Sequence, residues 1–205
     1  TKDSYPKAVT TVEAYNPATD TWSAKADMPT PRHSLATCSL NGKIYAIGGS
    51  DDPDTAGGAV AAVEEYDPVT DRWKRKADIK IARVYHGVCA VAGKIYVIGG
   101  MTGFNAPIPE AEEYDAGNNT WSFKRNIPTP RNYLTASVAN GKIYVIGGAR
   151  GYSSTGLAIV EEYSPGRIDK WKAVQKLNTA RWALSASSVA DKIYTFGGSI
   201  DFYSP

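Results

Sequence analysis

Apolar and polar residues alternate along this chain in short runs, and none of the runs keeps the three-to-four-residue period of a helix. Leu35 to Leu40 is a small-residue stretch of alternating character. A turn follows at Asn41-Gly42, and the next run, Lys43-Ile44-Tyr45-Ala46-Ile47, ends in Gly48-Gly49. The same phrase returns from Gly93 to Gly100, from Gly141 to Gly148 and from Asp191 to Gly198. Asn-Gly between two strand-like runs predicts a tight hairpin, because both residues accept positive φ. Beyond each glycine pair comes a variable stretch, then a third run with Glu and Tyr, as in Val63 to Tyr66 and Val160 to Tyr163. A turn rich in Pro, Asn, Asp and Thr leads to a fourth run that carries a Trp. The pattern predicts units of four short antiparallel strands, here called a to d.

The landmarks keep step with one another. Trp22, Trp73, Trp121 and Trp171 recur at intervals of about 50 residues, and so do Arg32, Arg83, Arg131 and Arg181. Tyr15, Tyr66, Tyr114 and Tyr163 follow the same step. Several positions locked to one period mark a duplicated supersecondary unit. A lone four-stranded sheet this small cannot bury both faces, so its neighbours must cover them. Radial packing of such sheets is a β-propeller.

A glycine pair after an apolar strand, then a spaced Tyr, then a spaced Trp, resembles the kelch repeat. The resemblance spans about the whole chain. It implies an all-β, kelch-type propeller of four four-stranded blades, with residues 1–205 forming one propeller domain or a segment of a larger one. Strands c and d come first (Val12 to Trp22), and strands a and b come last (Arg181 to Gly198). One blade is therefore expected to be composite, with N-terminal c–d strands beside C-terminal a–b strands. Ile200 to Pro205 matches Val160 to Pro165 and predicts the start of another strand c. Closure within one chain, a homodimer that completes the propeller, and a larger propeller are all open at this point.

Composition narrows the function. The net charge is +2, with both signs spread evenly and no basic block, which argues against a nucleic-acid partner. No run of ~20 apolar residues exists, so no membrane-spanning helix is expected. Nothing in the chain sets its compartment. Cys38 and Cys89 share a repeat position that Ser137 and Ser187 hold elsewhere, and they read as small packed free thiols of strand a, lining the axis. There is no metal-spaced Cys/His cluster, phosphate loop or nucleophile motif, so no cofactor, metal or catalytic set is predicted. His33 and His86 are expected to be polar surface or channel residues, and Asp51 to Asp54 a solvated turn.

In a propeller the d-to-a and b-to-c connections share one face. The b-to-c stretches vary here: Ser50 to Ala62, Met101 to Glu110 and Ala149 to Ile159. Variable loops on a regular scaffold are where recognition usually sits. The kelch resemblance implies partner binding on this face, around the mouth of the central channel. There the candidate residues are Arg32, Arg83, Arg131 and Arg181, with the unrepeated His33, Tyr85, Asn132, Tyr133 and Trp182 beside them. The arginines have two readings. They can bind carboxylates bidentately, which suits an acidic protein or peptide. Or they can pair with the repeated Glu13, Glu64, Glu112 and Glu161 as scaffold. The expected function is a non-enzymatic protein- or peptide-binding scaffold. The alternative is a carbohydrate-binding or sugar-modifying kelch-like propeller, its rings stacking on an acidic sugar.

Overall fold

The computed structural model describes residues 8–52, 58–103, 106–151 and 155–201. Among them there are strands, turns and bends, and no α-helix. A hairpin of β1 (Glu13–Asn16) and β2 (Thr21–Ala24) comes first. The first full blade is β3 (Ala36–Leu40), β4 (Lys43–Ile47), β5 (Val63–Asp67) and β6 (Arg72–Arg75). The second is β7 (Gly87–Val91), β8 (Lys94–Ile98), β9 (Ala111–Asp115) and β10 (Thr120–Lys124). The third is β11 (Thr135–Ala139), β12 (Lys142–Ile146), β13 (Val160–Ser164) and β14 (Lys170–Ala173). A second hairpin, β15 (Ser185–Val189) and β16 (Lys192–Phe196), follows. Each blade is an antiparallel meander in chain order, as the a-to-d reading requires. The predicted a-to-b turn is present: Asn41 and Gly42 both have positive φ, 51° and 74°. Such a turn matches the right-handed twist of the strands it joins.

The inner strands β3, β7, β11 and β15 pack against one another in that order. Large rings fill the layers between blades. Tyr45 of the first blade meets Tyr114 of the second edge to face at 5.9 Å, and Tyr96 meets Tyr163 of the third in the same way, also at 5.9 Å. Each such pair contributes about 0.5–1.5 kcal/mol beyond the area it buries. The Trp of strand d links blades by a different route. Trp73, Trp121 and Trp171 each donate an indole N–H, at 2.8 Å, to a backbone carbonyl of the preceding unit, at Ala26, Ala77 and Arg125. The recurring aromatics are therefore the mortar of the propeller.

Two expectations change here. Cys89 does not line the axis but sits buried in the layer between the second and third blades, while Cys38 is half-buried; both are free thiols. Burial pushes the Cys38 thiol up to about 12 and raises that of Cys89 as well. Second, the composite blade is not formed. Among the described residues the hairpins β1–β2 and β15–β16 are separate two-stranded sheets. Among the described residues the arc of packed inner strands runs from β3 to β15, and the two hairpins do not pair into one sheet. The predicted further strand c lies mostly outside the described residues, and Ser199 to Asp201 form only a bridge and a bend.

Candidate functional site

The repeat arginines come first, because their placement decides what the face can offer. Arg32, Arg83 and Arg131 are buried, with at most 2% of their surface exposed. Each points into its own blade and closes the glycine-pair phrase there. Arg32 donates to the carbonyls of Gly48 at 3.0 Å, Ala62 at 2.8 Å and Ala46 at 3.1 Å, and to Glu64 at 2.8 Å. Arg83 donates to Gly99 at 3.0 Å, Glu110 O at 2.8 Å and Glu112 Oε1 at 2.6 Å. Arg131 donates to the carbonyls of Gly147, Thr129 and Val145 and to Glu161. The far side of each glutamate receives the d-to-a segment: Thr30 donates to Glu64, Lys80 N–H to Glu112 and Thr129 to Glu161. Burial pulls the three guanidinium pKa values down and the paired carboxylates oppose it, so the charges are held by mutual pairing. These side chains tie strands a, b and c into one blade. Arg181 differs. It is half-buried, reaches Gly197 O at 2.9 Å and Thr195 Oγ1 at 2.8 Å, and has no ion pair among the described residues.

Two residues past each arginine the backbone turns left-handed. Ser34, Tyr85, Tyr133 and Ala183 have φ of 54°, 54°, 51° and 51°. A large side chain at such φ is strained, by roughly 1–3 kcal/mol, and persists only where its surroundings impose it. A chain of backbone bonds between neighbouring blades does so. Tyr133 N–H donates to Tyr85 O, and Ala183 N–H to Tyr133 O, both at 2.9 Å. A longer bond of 3.4 Å runs from Tyr85 N–H to Ser34 O. The chain crosses from blade to blade where each inner strand begins.

This turn carries the unrepeated rings into one row. Tyr85 and Tyr133 stack with centroids 4.1 Å apart and planes at 29°. Trp182 stands edge-on to Tyr133 at 5.1 Å. All three rings are half-buried. Tyr85 and Ala59 of the preceding b-to-c stretch both pack against buried Val84 and Met101. His33 joins the two connections of its own blade: Nε2–H donates to the Asp52 carbonyl at 2.9 Å, and Nδ1 lies 2.9 Å from the Ser34 hydroxyl. Asn132 is wholly buried and its amide N–H reaches Met101 Sδ of the preceding blade. Of the nine candidate residues, then, Tyr85, Tyr133 and Trp182 come together as a surface. Arg32, Arg83, Arg131 and Asn132 are housed inside.

His86 is not the surface or channel residue expected of it. It is 5% exposed. It occupies the position that Leu35, Leu134 and Leu184 hold in the other repeats. Neither ring nitrogen has a hydrogen-bond partner of normal geometry among the described residues. Burial, and then Arg83, push its pKa down to about 3; the Ile47 backbone favours the charged ring but is outweighed.

The fold and this face define a repeat β-propeller of four-stranded blades with an unrepeated aromatic row where the inner strands begin. Residues 31–79, 82–126 and 130–178 match the family model described as Kelch motif, and the chain belongs to the kelch family. It is 33% identical over 92 residues to Kelch-like ECH-associated protein 1B of Danio rerio, across 45% of this chain and 16% of that protein. It is 38% identical over 90 residues to Kelch-like protein 26 of Danio rerio, across 44% of this chain and 15% of the relative. Kelch-like protein 36 of Rattus norvegicus is 39% identical over 88 residues, across 42% and 14%. The matches thus cover only about a sixth of these relatives' length. Among solved structures, that of YjhT superposes with a TM-score of 0.77 at 16% identity, over 94% of this chain and 73% of the other. At that identity the likeness shows the fold alone.

Proposed function

We propose that this chain is a non-enzymatic binding module whose d-to-a and b-to-c loop face recognises a protein or peptide. The observation that carries the reading is the row Tyr85–Tyr133–Trp182. In the three full blades the rings that recur in every repeat are used between blades, whereas this row is not kept in every repeat, since Ser34 and Ala183 stand where Tyr85 and Tyr133 do, and its three rings are half-buried. Two of them are held at positive φ, and strain kept at a surface is often tied to binding. Tyr and Trp are the side chains most often found at the energetic centre of interfaces. The kelch-like relatives support a protein-interaction scaffold in general. The expected preference for acidic partners rested on the arginine ring, and three of its four guanidinium groups are engaged within their blades.

The test is a random-peptide selection on the folded chain, counter-screened on the Tyr133→Ala/Trp182→Ala double variant. Peptides enriched on the wild-type chain should lose at least about tenfold in affinity on the variant, while its thermal midpoint stays close to wild type. Peptides that bind both chains equally would place recognition elsewhere.

A further inference from the structure

We infer that the β15–β16 hairpin of one copy of this chain adds to the open edge of β1 in a second copy, so that two chains build one four-stranded blade between them. The first argument is about backbone edges. In each full blade strand b pairs with strand c, as β4 with β5, β8 with β9 and β12 with β13. Among the described residues β16 is a strand b without a strand c, and β1 is a strand c without a strand b. The ladder of the full blades, carried onto these two edges, sets Ile193 opposite Tyr15, Thr195 opposite Glu13 and Phe196 opposite Val12. An edge with unpaired donors and acceptors is a template for strand addition. Within one chain the two hairpins stay in separate sheets, so the matching edge comes from a second copy.

The bonds across the joints and the charges leave matching gaps at these edges. Gly49, Gly100 and Gly148 each donate an N–H to the carbonyl of the next repeat's arginine, Arg83, Arg131 or Arg181, at 3.0, 3.0 and 2.9 Å. Among the described residues Gly198 N–H has no such acceptor, and the Arg32 carbonyl has no such donor. Arg32, Arg83 and Arg131 each close on a glutamate of strand c, whereas Arg181 bonds only to Gly197 O and Thr195 Oγ1. Arg181 Nε has no partner among the described residues. Glu13 is the corresponding glutamate of the first hairpin, and it is exposed. Opposite Thr195 it takes the place that Glu64 holds opposite Ala46 and Glu161 holds opposite Val145, within reach of the other copy's Arg181. The cation lacking its carboxylate and the carboxylate lacking its cation are thus complementary.

The third argument is packing. Tyr45 and Ile47 on strand b of the first full blade pack with Ile95, Val97, Tyr114 and Trp121 of the second. Ile44, Ala46, Tyr66 and Trp73 hold those same four positions in the first full blade. With Met28 and Leu35 they line a groove of 390 Å³. Tyr194 and Phe196 hold the positions of Tyr45 and Ile47 on β16. They are 47% and 60% exposed, whereas Tyr45 and Ile47 are 2% and 0% exposed. A second copy's β16 in the stated register lays Tyr194 and Phe196 towards this groove, as Tyr45 lies against Tyr114 at the next joint. A protruding pair of rings and a groove of matching chemistry are what such an interface buries.

The experiment is sedimentation equilibrium of the 205-residue chain over a concentration series, with charge reversals at the proposed contact. The wild-type mass should exceed the 22.0 kDa of one chain and rise with concentration. Arg181→Glu sets two carboxylates together and Glu13→Arg two guanidinium groups, so each variant alone should associate at least about tenfold more weakly. An equimolar mixture of the two should associate again, because every contact in alternating copies then joins opposite charges. The Arg181→Glu/Glu13→Arg chain should associate by itself for the same reason. Phe196→Asp should stay monomeric in every mixture. Thermal midpoints close to wild type show that the single variants are folded, and the mixture and the double reversal carry the test if one of them is not. A wild-type chain that stays monomeric throughout would overturn the inference, whether its ends close on each other or stay open. So would association indifferent to the single reversals, or reversals that neither the mixture nor the double variant rescues.

Discussion

Two joints between blades share one geometry and differ by one side chain. Where the second full blade meets the first, His86 stands over Gly48; a Cβ built on Gly48 would lie 2.7 Å from the His86 ring. Where the third meets the second, Leu134 stands over Gly99, and the equivalent distance is 2.8 Å. In both, such a Cβ would also lie within 2.8 Å of the carbonyl of the next blade's arginine, Arg83 or Arg131. The backbone frame is thus the same, and the difference lies in what fills the niche. A leucine fills it at no polar cost. A buried imidazole without hydrogen-bond partners of normal geometry among the described residues does so at the cost of its desolvation. The joint is set by the recurring arginine and glycines, and the niche residue tunes its strength.

The largest expected effect breaks what the joints have in common. Arg83→Leu leaves Glu112 buried without its partner and should cost about 3–5 kcal/mol in urea unfolding. Arg83→Leu/Glu112→Leu should recover much of that loss, since removing both partners leaves no stranded charge. Arg181→Leu, with no buried carboxylate behind it among the described residues, should cost under about 1 kcal/mol. Next comes the frame. Gly99→Ala places a methyl group against Arg131 O and Leu134 at a φ of 62°, whereas Gly197→Ala, at φ 60°, meets nothing within 4 Å. Equal strain with unequal crowding predicts that Gly99→Ala is the more damaging by about 1–3 kcal/mol.

A smaller effect sharpens the difference itself. His86→Leu gives the first joint the niche of the second and should stabilise the chain by about 1–2 kcal/mol, while Leu134→His should destabilise it. The same niche also has an effect in pH. The ordinary histidine value of 6.5 falls to about 3 for His86 in the fold. Between those values the unfolded chain holds a proton that the folded chain does not, so acid favours unfolding. The contribution of His86 is whole above pH 6.5 and is lost as pH falls towards 3. The wild-type urea midpoint should decline between about pH 6.5 and 4.5, and that of His86→Leu should decline less. The paired carboxylates Asp67 and Asp115, held down to about 2, begin to weaken the fold only below about pH 4 and leave this window clear.

Much of this is legible in the chain itself. The step of the Trp, Tyr and Gly-Gly landmarks announces the blades, because each blade must offer the same surfaces to its neighbours. Asn41-Gly42 announces the hairpin, because few residue pairs accept positive φ twice. The Arg–Glu pairs are visible as one of two readings, and only their burial separates scaffold from ligand contact. Other features are not legible. Nothing about a tyrosine signals φ of 54° or 51°; Ser34, Tyr85, Tyr133 and Ala183 share a backbone state and no side-chain chemistry. The open arc is hidden too, because strand phase tells which strands could pair and not how far each blade turns from the last. His86 carries a usable signal, its alignment with three leucines, but its chemistry points to the surface.

The central claim is a division of labour: repeated positions and the niche beneath them hold the blades together, and the unrepeated aromatic row does the binding. Its most direct test measures affinity for the selected peptides and the thermal midpoint side by side in Trp182→Ala and His86→Leu. The account predicts that Trp182→Ala loses binding with little change in midpoint, and that His86→Leu raises the midpoint with binding intact. Binding intact in Trp182→Ala, or lost in a stable His86→Leu, would contradict it.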